Sequence, residues 1–100
     1  MSNQTSSTRL EDDALQVALA ALPGWDKTAT GAIGKTFKFK NFSQAFAFMT
    51  RVALLAEKAD HHPDWSNSYN TVEIALINHD AGGITQKDVD LATAIEALSA

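Results

Sequence analysis

The chain has 100 residues, room for one compact domain and too few for two of ordinary size. With 45% hydrophobic residues and a formal net charge of -4, it carries the apolar content of a folding chain and lacks the clustered cations that a nucleic-acid surface needs. The absence of cysteine excludes disulfides, thiolate nucleophiles and cysteine zinc sites, so any chemistry falls to His, Asp, Glu, Lys, Tyr or hydroxyls.

Met1 to Thr8 is polar, Ser/Thr-rich and without an apolar run, and reads as a flexible tail rather than a secretory signal or anchor, leaving residues 9–100 as the single domain. No stretch approaches the roughly 20 consecutive apolar residues that cross a bilayer, and a cytoplasmic location is the default expectation. From Leu10 to Leu22, Leu10, Ala14, Val17, Ala18, Ala21 and Leu22 recur at helical spacing. Thr8 is the candidate cap, Glu11, Asp12 and Asp13 suit the first turn, and Pro23-Gly24 ends the helix. Trp25 to Thr30 and Lys35 to Lys40 flank Gly31 to Gly34 as a hairpin, with Phe37 and Phe39 alternating with Thr36, Lys38 and Lys40. The lysines discourage edge pairing.

Asn41 or Ser43 can cap a second helix whose apolar stripe is Phe42, Phe46, Met49, Val52, Ala53 and Ala56, widened by Phe48, Leu54 and Leu55. Pro63 forces this helix to stop before it, because proline pushes the preceding residue out of the α region. His61 and His62 therefore fall at a helix end or just beyond. After Trp65 to Ser68, Asn67 to Asn70 is rich in turn formers, and Thr71 to Asn78 alternates again with Val72, Ile74 and Leu76 on one face, which predicts a second hairpin. The other face, Glu73, Ala75, Ile77 and then His79, is apolar enough to suggest a subunit contact or a pocket wall. Gly82-Gly83 supplies a turn, Thr85 caps a last helix, and Asp88 at its third position can reach back to the cap. Val89, Leu91, Ala92, Ile95 and Leu98 form that helix's apolar side. The order α-β-β-α-β-β-α, without internal repeat, predicts a two-layer α+β fold: a four-stranded antiparallel sheet with helices packed on its Phe37/Ile74 face.

Imidazole exchanges protons near neutral pH, with an unperturbed pKa of about 6.5. The three histidines, His61, His62 and His79, can therefore run both halves of a proton transfer if the second hairpin returns His79 to the end of the second helix. Glu57, Asp60, Asp64, Asp80 and Asp88 surround them in sequence, and any of these can orient an imidazole or hold a guanidine-like edge. Each residue also has a plainer reading. The histidines can be surface or capping groups, and Asn78-His79-Asp80 ordinary turn polarity. Trp65 can be a core aromatic, Asp88 a helix N-terminal carboxylate, and Glu57 a solvated side chain. A zinc ion on three histidines is a further reading, although their spacing matches no zinc signature.

Read together, Glu57-Lys58-Ala59-Asp60-His61-His62-Pro63-Asp64-Trp65, Tyr69-Asn70-Thr71-Val72, and His79-Asp80-Ala81-Gly82-Gly83-Ile84-Thr85 with Asp88 resemble the signature of the pterin-4a-carbinolamine dehydratases. The resemblance covers everything but the tail. It implies an α+β domain assembling as a homodimer or homotetramer. It also implies removal of water from 4a-hydroxytetrahydropterin to give quinonoid dihydropterin, in tetrahydrobiopterin recycling for an aromatic amino-acid hydroxylase, with neither metal nor organic cofactor. By the same resemblance His61, His62 and His79 line the pterin site. Our expectation is that His61 and His79 transfer protons while His62 binds and polarises. Glu57, Asp60 and Asp88 orient rings or hold the pterin, and Pro63 and Trp65 shape the wall. Asn78 stands where many relatives carry threonine or serine, and offers both a donor and an acceptor there. The alternative the family allows is a non-catalytic interaction protein, either a dimerisation cofactor of a transcription factor or an assembly chaperone.

Overall fold

In a computed structural model, which describes residues 8–99, three helices and four strands follow one another as α1 Asp12–Ala20, β1 Asp26–Lys27, β2 Ile33–Lys38, α2 Phe42–Ala59, β3 Asp64–Ser68, β4 Thr71–Leu76 and α3 Gln86–Ser99. The strands form one antiparallel sheet in the order β1-β2-β4-β3, so the two hairpins meet through β2 and β4. Phe37 pairs with Val72 and Lys35 with Ile74 in that central register, and Ile33, Phe37, Val72, Ile74 and Leu76 are buried on the face that the helices cover. The fold class and element order are those the alternation of apolar residues predicts. All but Thr8 of the expected Met1 to Thr8 tail lies outside the described residues, as does Ala100.

The first helix is shorter than its periodicity suggests. Leu10 donates its N–H to Ile84 O at 2.7 Å and Arg9 pairs with Thr85, so these residues are drawn into an extended segment and the helix begins at Asp12. Glu11, not Thr8, is the N-cap, and it contributes no side-chain bond. Leu15 and Leu22 reach the core, with Ala18 and Leu19 packed beside them, whereas Val17 is 73% exposed. The first hairpin turns earlier than the Gly31 to Gly34 stretch: Thr28 N–H bonds Ala32 O, and Ile33 already belongs to β2, opposite Leu76. A fully buried isoleucine at that register stabilises the sheet more than a longer loop would.

Asn41 caps α2, its side chain accepting the Gln44 N–H at 2.9 Å. The buried side of this helix is Ala45, Phe48, Val52 and Ala56, rotated from the stripe that begins at Phe42. Phe42, Phe46 and Leu54 are instead exposed at 47%, 55% and 68%. Apolar residues almost encircle α2, which leaves its phase undecided locally. Packing on β4 and α3 decides it, with Ala45 and Ala56 permitting close approach. Phe48 stacks near Phe37 and Phe39, with ring centroids 4.9 Å away in both cases. At the far end of the sheet, Glu96 accepts from Lys35 Nζ at 2.5 Å and from Trp25 Nε1 at 3.1 Å, tying α3 to β2 and to the segment after α1.

Candidate active site

Helix α2 ends as a Schellman motif, with Asp60 at φ 52, its N–H on Glu57 O and the His61 N–H on Ala56 O. This reversal throws His61, His62 and Pro63 across to the start of β3. Helix α3 starts at a complementary point. Thr85 is fully buried, and its N–H donates to Asp88 Oδ2 at 2.7 Å, with the hydroxyl donating to the same oxygen at 3.3 Å. This is the reach-back from the third helical position expected of Asp88, with the carboxylate also favoured by the helix N-terminus. The other oxygen, Oδ1, meets His61 Nε2. Asp88 therefore does more than start a helix: it joins the α3 terminus to the histidine at the α2 terminus.

Each histidine has a carboxylate of its own. The His61–Asp88 pair is enclosed, the imidazole being 11% and the carboxylate 0% exposed. His62 Nε2 lies 3.0 Å from Glu57 Oε1 on the outside of the α2 end. His79 Nε2 lies 3.8 Å from Asp64 Oδ2, and both side chains are largely exposed. The second hairpin does return His79 to the α2 terminus: Asp60, His61, His62, Asn78 and His79 line one depression of about 490 Å³, together with Ile77, Asp80 and Lys87. That size falls within the roughly 300–1,000 Å³ of small-ligand sites.

The loop carrying His79 is closed by two backbone bonds between Asn78 and Gly83, of 3.0 and 3.2 Å, and by the Gly82 N–H on His79 O. Gly82 has φ 75, the left-handed region that glycine enters without steric cost. The Asn78 side chain also supports this turn, its Oδ1 accepting the Ala81 N–H at 3.1 Å. Pro63 and Trp65 lie outside the lining of the histidine depression. Trp65 packs against the core and borders a separate depression over the open sheet face, with Asp64, Gly34 and Glu73. Among the described residues, no three His, Asp or Glu side chains converge as a metal-binding group.

Lys87, absent from the candidate residues expected from the sequence, also lines the depression; its Nζ donates to Asp60 O at 3.4 Å. A signal existed, because a lysine in the first turn of a helix sits against the macrodipole and asks for another reason to be there.

Comparison with known proteins gives a consistent result. A family model described as Pterin 4 alpha carbinolamine dehydratase matches residues 8–98. A Rhodopseudomonas palustris protein provisionally named as a pterin-4-alpha-carbinolamine dehydratase is 56% identical over 94 residues, covering 92% of each chain. One of the same provisional name from Mesorhizobium japonicum is 59% identical over 85 residues, covering 84% of this chain and 87% of its own. Among solved structures, a transcriptional coactivator/pterin dehydratase from Brucella melitensis superposes with a TM-score of 0.90 at 45% identity, covering 93% of this chain and 100% of that one. A pterin dehydratase-like RuBisCO assembly factor of the alpha-carboxysome shares the fold, with a TM-score of 0.65 at 24% identity over 76% of this chain and 89% of its own.

Proposed function

The chain belongs to the pterin 4 alpha carbinolamine dehydratase family, and from that membership we propose that it converts 4a-hydroxytetrahydropterin to quinonoid dihydropterin and water by histidine acid/base catalysis. The observation that carries the reading is the gathering of His61, His62 and His79 around one depression, from a helix end and a loop that are far apart in the chain.

The chemistry asks for two proton movements. As the C4a–O bond breaks, an acid delivers a proton to the departing oxygen, which leaves as water. A base takes the proton from N5, whose electrons complete the C4a=N5 double bond. His61 suits one of these steps: with Nε2 committed to Asp88, Nδ1 is the nitrogen left to meet substrate, and the enclosed carboxylate fixes the ring. His79, which lines the same depression from the Asn78–Gly83 loop, takes the other step, and His62 binds and polarises. Asp60 and Lys87 supply polar edges for the pterin. General acid and base steps contribute typically 10²- to 10⁴-fold each, ample for a dehydration that also proceeds unaided.

The proposal extends to tetrahydrobiopterin recycling in the cytoplasm beside an aromatic amino-acid hydroxylase, and to a homodimer or homotetramer. Support for self-association is the pair of exposed rings Phe42 and Phe46 on α2, with centroids 5.7 Å apart. The same patch favours a second reading, in which the protein serves as an interaction partner without turnover. A coupled assay separates the two: a hydroxylase generates the 4a-carbinolamine and quinonoid dihydropterin is followed by absorbance. Acceleration over buffer supports the dehydratase; a rate equal to buffer with folded protein overturns it and leaves the interaction reading.

A further inference from the structure

Arg9 and Leu10 form a strap over the segment between the two halves of the site. Leu10 N–H donates to Ile84 O at 2.7 Å and Arg9 pairs antiparallel with Thr85. On one side of Ile84-Thr85 lies the Asn78–Gly83 loop that presents His79; on the other lies the first turn of α3 with Asp88.

The two glycines of the loop stand in different surroundings. Gly82 has a positive φ, and a Cβ there would meet nothing within 4 Å. Gly83 has no positive φ, but a Cβ on it would stand 2.6 Å from Arg9 Cδ and 3.0 Å from Cγ. Both distances are well inside the ordinary carbon–carbon contact of about 3.5–4.0 Å. The methylene stem of Arg9 thus lies flat on Gly83, which is buried while Arg9 itself is exposed.

His79 depends on this loop more than His61 depends on its surroundings. Its side chain is 78% exposed and its carboxylate partner is 3.8 Å away, so the backbone of residues 78–83 determines where the ring stands. His61 is held by a buried carboxylate that is itself fixed within the first turn of α3.

We infer that Arg9 is a positioning residue for His79: its stem covers Gly83 and, with the Leu10–Ile84 bond, keeps the loop in the register that turns His79 toward the depression. The inference rests on the dehydratase reading for its kinetic consequence, but not for its structural one. A single displacement of about 1 Å can cost 10²-fold in rate, and a loosened strap costs less than that.

The test compares full-length Arg9→Ala, Gly83→Ala, the double variant and Arg9→Lys. Either single change removes the same contact, the second by adding a methyl where the stem lies. Each is expected to lower kcat about tenfold with KM within about twofold, and the double variant to match the singles, because coupled residues are not additive. Arg9→Lys, which keeps a straight stem, retains most of the rate. In parallel, the ring carbon–proton signals of His79 shift or broaden in both single variants while those of His61 stay in place. Multiplicative losses in the double variant, an Arg9→Lys as slow as Arg9→Ala, or an unmoved His79 signal would each overturn the inference. A wild-type protein without dehydratase activity removes the dehydratase reading instead, and the ring signals then decide the role of Arg9 alone.

Discussion

Asp88 and His61, separated by 27 positions, are joined through Asp88 Oδ1 and His61 Nε2, while Asp88 Oδ2 holds the N–H and hydroxyl of Thr85. One carboxylate thereby starts α3 and holds the imidazole at the end of α2 through its Nε2.

Asp88→Asn is expected to lower kcat by about 10²-fold, because the amide cannot accept from the imidazole and from Thr85 as the carboxylate does. It also weakens charge-assisted bonds inside the fold, at a cost of about 1–3 kcal/mol. Steady-state kinetics and thermal unfolding check the two effects, with Tm falling roughly 4–8 °C for each kcal/mol in a domain of this size.

The three histidine variants are expected to separate by kinetic parameter. His61→Ala and His79→Ala lower kcat by about 10²- to 10⁴-fold each, as loss of a proton-transfer group does. His62→Ala mainly raises KM, since its ring is 60% exposed and paired with the exposed Glu57. Comparable kcat losses in all three would place His62 among the proton-transfer groups.

Glu96→Ala leaves Lys35 Nζ without its carboxylate and the buried Trp25 Nε1 without an acceptor. The expected cost is about 1–3 kcal/mol in urea unfolding, with turnover per folded molecule unchanged within about twofold. Glu96 lies toward the C-terminal end of α3, bonded to Trp25 and to Lys35, whereas Asp88 sits in the first turn of that helix.

Phe46→Gln replaces an exposed ring on the outer side of α2. Folding stability of the monomer is expected to change by no more than about 0.5 kcal/mol, while any oligomer becomes more readily dissociated on dilution, read by light scattering. A large loss of monomer stability would mean that the ring packs within the fold.

The sequence by itself determined the element order, the alternation that makes an antiparallel sheet, the stop of α2 before Pro63, and the capping of α3 by Thr85 with Asp88 reaching back. These follow from local rules, namely side-chain period, proline sterics and caps, which act within a few residues. The candidate residues were legible for the same reason, as unusual residue types at turns. Tertiary structure alone decided which apolar stripe of α2 is buried, because a helix apolar on most sides has no preferred phase until a sheet and a second helix press on it. It also drew Arg9 and Leu10 out of the first helix to pair with Ile84 and Thr85. Tertiary packing placed Trp65 against the core and brought Lys87 to the histidines, and it matched each imidazole to a particular carboxylate: Asp88 to His61, Glu57 to His62, Asp64 to His79. The sequence offered five such carboxylates and no means to choose, since the choice depends on side chains from separate elements arriving within hydrogen-bond or ion-pair reach, and only chain closure sets those distances.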